Sequence, residues 1–156
     1  MIHYNDHIYY KDVYSGTYTF AASEIGSCIR EFWNTALSEG LRPSGHFFFS
    51  MYWLGNNNDM QAEFFITAKC DGIYKGDLKY QSVFVIENMI STVVFDHFET
   101  NVNKAYKNLI AEAEVKKQQI VSPFYHIVCR HEKGACCIIK MAVDDEVKGK
   151  FGGFTQ

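Results

Sequence analysis

Four groups of side chains in this sequence carry chemistry beyond packing: the carboxylate of Glu63, the imidazoles of His46 and His126, the run His126, Cys129, His131, and the adjacent thiols Cys136 and Cys137. Glu63 is a candidate general base if burial raises its pKa, with His46 or His126 relaying the proton. No nucleophile with an orienting partner completes such a site, so no catalytic residue is assigned. His126, Cys129 and His131 lie as close as zinc ligands do, but alternation along a strand turns His126 away from the other two and no fourth ligand follows. No metal and no cofactor are therefore expected. Phosphate-binding glycine loops, dinucleotide fingerprints, nucleophile elbows and HExxH helices do not occur in the sequence. The five cysteines are an odd number without framework spacing, which predicts reduced thiols, with Cys136 and Cys137 as small apolar residues on opposite faces of a strand.

Composition narrows the function classes. Of 156 residues, 47% are hydrophobic and 21% charged, enough apolar material for one packed core. Fifteen basic and 18 acidic residues give a net charge of -3 and form no basic stripe, which argues against direct nucleic-acid binding. The first residues lack the charged and apolar regions of a signal peptide, and no stretch is apolar for the length of a membrane span, so the expectation is a cytoplasmic protein with no membrane partner.

The elements that must position these groups repeat. Ile25, Cys28, Ile29, Phe32, Ala36 and Leu37 predict a helix over 23–38, with Ser23 as N-cap and Gly40 as its stop. Val102, Ala105, Tyr106, Leu109 and Ala113 predict a second over 100–117, with Thr100 as N-cap. Each follows a β-rich run, Val13 to Phe20 and Ile90 to Phe98, and each precedes a proline-opened strand, at Pro43 and at Pro123. His46 and His126 then hold equivalent places. The turn Gly55 to Asp59 leads to a strand over 60–69, and Arg130 to Gly134 leads to one over 135–143. The predicted fold is α+β: two strand-helix-strand-strand repeats, about 8–69 and 80–143, sharing one antiparallel sheet with both helices on one face, in a single domain of residues 1–156. Turn chemistry over Cys70 to Lys79 joins them. The tail from Glu146 to Gln156 is expected to order only where Phe151 or Phe154 docks.

This duplicated order, with a proline-aromatic strand opening after each helix, resembles the gyrase-inhibitor-like (GyrI-like) family over roughly residues 8 to 143. The resemblance implies a bacterial effector-binding domain or a stand-alone ligand binder, holding flat or cationic hydrophobic molecules in an aromatic cleft between the repeats, often with a buried glutamate. A subset of the family hydrolyses strained cyclopropane-bearing compounds through a glutamate and aromatic residues. The final strand here, Ala135 to Val143, carries no acidic residue where those proteins usually have theirs. The chain is also similar to a Firmicutes branch of the same fold encoded beside type VII secretion toxins, which implies an adaptor or toxin-partner role.

Strand alternation assigns the faces. Ala62, Phe64, Ile66 and Ala68, with Phe47, Phe49 and Met51, are expected on the helix side, as are Tyr125, Ile127 and Cys129, and Cys137, Ile139, Met141 and Val143. That leaves His46, Phe48, Tyr52, Glu63, Phe65, Phe124, His126 and Lys140 on the other face, aromatic rings with a few convergent polar groups, the composition of a ligand cleft. A half-solvated sheet or a homodimer interface has the same composition. Three readings follow: non-enzymatic binding of a small hydrophobic or aromatic molecule, a protein-interaction adaptor, and a hydrolase using Glu63.

Overall fold

The computed structural model describes residues 1–54 and 59–145, without the side chains of Trp53 and Leu54. The expected turn at Gly55 to Asp59 and the tail after Asp145 fall largely outside the described residues. The elements run β1 (His3–Ala21), a single 3-10 turn, α1 (Ile25–Ser38), β2 (Leu41–Leu54), β3 (Asp59–Cys70), β4 (Lys79–Val94), α2 (Phe98–Val115), β5 (Gln118–Ile120), β6 (Phe124–His131) and β7 (Gly134–Asp145). The strands form an antiparallel seven-stranded sheet in the order β4-β1-β3-β2-β6-β7-β5, with β4 also paired to β7. The α+β class is as the repeat predicts. β5, three residues paired to the end of β7, was not expected.

Two compact units divide the chain. In the first, residues 8–85 and 125–128, α1 buries Phe32 and Ala36 against Tyr14, Phe20, Ala62, Phe64, Ile66 and Ala68 on one face of β1 and β3. Phe47, Phe49 and Met51 of β2 pack there too, as alternation predicts. Each fully buried side chain of this size removes enough apolar surface to contribute about 1.5–3 kcal/mol. The helix begins at Ile25 after a 3-10 turn with no side-chain cap, so Ser23 does not cap it. It ends as expected at Gly40, whose φ of 86° only glycine adopts freely.

The segment from Cys70 to Lys79 is anchored rather than loose. Glu39, just after α1, accepts hydrogen bonds from the Tyr74 hydroxyl and, at 3.2 Å, from the Asp77 amide. The Leu78 amide donates to the Tyr74 oxygen at 2.9 Å, and Arg42 pairs with Asp71 at 2.8 Å.

In the second unit, residues 1–7, 86–124 and 129–145, α2 buries Ala105, Leu109 and Ala113 against Ile90, Val94, Cys137, Ile139, Met141 and Val143. The alternation of β7 is as expected. The helix starts at Phe98, two residues before Thr100, because His97 turns left-handed (φ 44°) and its carbonyl accepts the amides of Thr100 and Asn101 at 3.1 and 2.9 Å. In the same unit Asp6 accepts from Ser91 Oγ at 2.6 Å and pairs with Lys140 Nζ at 3.1 Å.

Candidate functional site

The face of the first unit turned away from α1 holds most of the expected site residues. Antiparallel pairing sets Phe48 opposite Phe65 and Ser50 opposite Glu63 across β2 and β3, and Ser15 opposite Phe65 across β1 and β3. Cross-strand neighbours at that spacing touch. The rings of Phe48 and Phe65 stack in parallel with centroids 4.5 Å apart. Phe84 of β4 closes on both, at 5.3 and 4.9 Å, and Tyr125 of β6 lies edge-on to Phe84 at 6.0 Å. Phe48 and Phe65 are 0% and 1% exposed, so the protein's own rings fill this face.

Three small hydroxyls, Ser15, Ser50 and Thr67, are buried among the rings. Ser15 Oγ donates to Glu63 Oε2 at 2.7 Å, and Thr67 Oγ1 accepts from the His46 amide at 3.3 Å. Glu63 is half-buried, and Tyr52, at 48% exposed, forms the open rim. His46 is exposed and stacks on Tyr10 at 4.7 Å, and Tyr10 lies 5.2 Å from Phe48. Burial, then the charges of Tyr52 and Glu63, push the Tyr125 phenol up to about 12, so it is neutral and a hydrogen-bond donor near pH 7.

In β6 the expected alternation is inverted. Tyr125 was expected beside the helices and lies with Phe48, Phe65 and Phe84 instead. His126, expected on the open face, stacks flat on Phe49 at 4.5 Å with Nδ1 3.2 Å from the Phe49 carbonyl, on the α1 side. Phe124 stacks on Tyr106 of α2 at 4.4 Å in the second unit. Lys140 lies in that unit too, its ammonium held by Asp6 and by the His7 carbonyl at 2.6 Å. The first unit therefore gathers His46, Phe48, Tyr52, Glu63 and Phe65. It adds Tyr10, one of the tyrosines crowded near the N-terminus that could mark an interaction surface, and Phe84 and Tyr125, for which sequence alone carried no site signal.

The proposed proton relay is not assembled, because His126 faces away from Glu63 and His46 stacks on Tyr10 at the surface. No cluster of three histidine, cysteine or acidic groups able to hold a metal occurs among the described residues. The thiols depart from expectation: Cys129 and Cys136 form a disulfide between β6 and β7. Cys28, Cys70 and Cys137 are free, and burial pushes the Cys137 thiol up to about 12. No helix among the described residues is long and apolar enough to cross a membrane.

Solved structures share this fold. The EcmrR C-terminal domain, known from a crystal structure, aligns over 90% of this chain and 98% of its own, with a TM-score of 0.67 and 14% identity. EcmrR in a cryo-EM structure of its complex with DNA aligns over 92% of this chain and 58% of that one, with a TM-score of 0.71 and 14% identity. At that identity the likeness shows the fold, in agreement with the GyrI-like architecture expected from the repeat. No curated protein is similar in sequence. A family model matches residues 8–145, and the chain accordingly belongs to the family described as a domain of unknown function, DUF5085.

Proposed function

We propose that the protein is a non-enzymatic binder of a small hydrophobic or aromatic molecule, received on the face of the first unit turned away from α1. One juxtaposition supports the reading: the half-buried carboxylate of Glu63, held by Ser15, beside stacked aromatic rings and the neutral phenol of Tyr125. A few polar groups fixed among rings is how small-molecule sites set orientation within an apolar lining. It also agrees with what the GyrI-like resemblance implies. Because the rings fill the face, a ligand enters by displacing side chains at the rim, where Tyr52, Tyr10 and His46 are the accessible members. Titration with a panel of flat aromatic compounds, read by calorimetry, tests this. Saturable binding that Tyr52→Ala and Glu63→Gln each weaken supports the site, and binding indifferent to both removes it.

The filled face also favours a second reading, a protein-interaction adaptor, of the kind a secretion-locus partner would be. Val83 and Val85, 44% and 47% exposed on β4, alternate with Phe84 and so add apolar surface on the strand's other side. Absence of saturable binding by any compound leaves that reading in place of the first. Hydrolysis through Glu63 is not favoured, since neither histidine is placed to relay its proton.

A further inference from the structure

The Cys129–Cys136 disulfide of the second unit has no part in the aromatic face. We infer that it is a reversible thiol–disulfide site, opened by a low-molecular-weight thiol at Cys129 and closed again by Cys136.

The bond is not needed to hold its strands together. Glu132 and Lys133 form a two-residue turn between β6 and β7, so Cys129 and Cys136 lie opposite each other, with Cα atoms 5.1 Å apart. The two strands are neighbours in the sheet, and Cys137, Ile139, Met141 and Val143 anchor β7 under α2. The bridge spans a sequence separation of 7, and closing so short a loop restricts the unfolded chain less than closing a long one. The same chain leaves Cys28 and Cys70 as half-exposed free thiols. That suits a reducing compartment, where disulfides are transient and serve catalysis or sensing.

The two sulfurs differ in access. Cys129 is half-buried and Cys136 is 6% exposed, so an incoming thiolate meets Cys129 first. It bonds to Cys129 Sγ as the Sγ–Sγ bond breaks, and the electron pair leaves on Cys136 Sγ, which takes up a proton. A mixed disulfide at Cys129 results. A second small thiol then displaces Cys129, leaving both cysteines reduced and the two small thiols joined. Re-oxidation runs backward, with the small-molecule disulfide as oxidant and Cys136 expelling the thiol held on Cys129. Cys137 cannot intercept, because it lies on the opposite face of β7, packed under α2. Beyond the disulfide, at the tip of the hairpin, a hollow of about 500 Å³ gives a small thiol room. Phe95 and His131 meet edge-on there at 4.8 Å, and Asp96, Glu132 and Lys133 supply both signs of charge, which matches a zwitterionic thiol such as glutathione.

Glutathione is therefore the probe. In mixtures of its reduced and disulfide forms the folded protein should pass between disulfide and dithiol, followed by trapping with N-ethylmaleimide and mass spectrometry. The ratio of dithiol to disulfide should rise about tenfold for each tenfold rise in the squared glutathione concentration over that of its disulfide. Far-UV circular dichroism should not change between the two states. Cys136→Ser treated with glutathione disulfide should carry glutathione on Cys129, and Cys129→Ser should carry about tenfold less on Cys136. A bond reduced only once urea unfolds the chain, loss of strand signal on reduction, or equal loading of the two variants overturns the inference.

Discussion

Replacing Phe65 by alanine measures how firmly the aromatic face of the first unit is packed. Phe65 is 1% exposed, stacks in parallel on Phe48 at 4.5 Å, and lies 4.9 Å from Phe84 and 6.3 Å from Tyr125. Truncating a buried phenylalanine costs about 3–5 kcal/mol through lost transfer energy and the cavity left behind. Three aromatic neighbours, each pair adding about 0.5–1.5 kcal/mol beyond area burial, place Phe65→Ala in the upper half of that range. For a chain of this length, a loss of about 4 kcal/mol lowers the midpoint of thermal unfolding by roughly 8–16 °C. Tyr52→Ala, on the same face but 48% exposed, should cost below about 1 kcal/mol. Urea unfolding followed by far-UV circular dichroism gives both values. A Phe65→Ala loss below about 1 kcal/mol, or one no larger than that of Tyr52→Ala, would refute the packing on which the face rests.

Acid should destabilise the second unit through Asp6. Burial alone would raise its carboxyl, but hydrogen bonds from Ser91, the His7 amide and Lys140 outweigh that and hold it low. A folded pKa below the unfolded value gives stability that is present above about pH 4 and lost as the pH falls through the folded value, so Asp6→Asn should flatten the acid limb of a stability-pH profile. The phenol of Tyr125, raised to about 12 mainly by burial, gives stability present below its unfolded pKa and lost as alkali approaches 12. Absorbance titration at 295 nm should show a late-ionising tyrosine missing from Tyr125→Phe. Reducing the Cys129–Cys136 disulfide, which closes a short loop, should cost about 2 kcal/mol, read as a lower urea midpoint with dithiothreitol. Gly76→Ala would bring a Cβ against the Glu39 carboxylate and the Tyr74 hydroxyl, the far ends of two flexible side chains that can shift, and should cost below about 1 kcal/mol by the same assay.

The repeat was legible because periodicity is enforced by burial: the α1 and α2 faces and the alternation of β2, β3 and β7 follow from which residues meet a helix. The helix starts were less so. His97 turned the chain left-handed ahead of Thr100, and a 3-10 turn took the place of a Ser23 cap. In β6 the assignment failed for a physical reason. Tyr125, His126 and Ile127 are all buried, so this segment has no polar-apolar contrast, and a histidine stacked on phenylalanine reads like an exposed one. The disulfide was missed because an odd cysteine count carries no information about which two approach. Of the expected site, the members on β2 and β3 could be read from alternation. Phe84 and Tyr125 required the order in which the strands pair, which no local pattern encodes.

Glu39 clasps Tyr74 and the Asp77 amide just past the last turn of α1. The stretch after β3 is therefore fastened to the end of the helix. Tyr74 thus ties three parts of the first unit together: the end of α1 through Glu39, its own stretch through the Leu78 amide, and β1 through the edge-on ring of Tyr14.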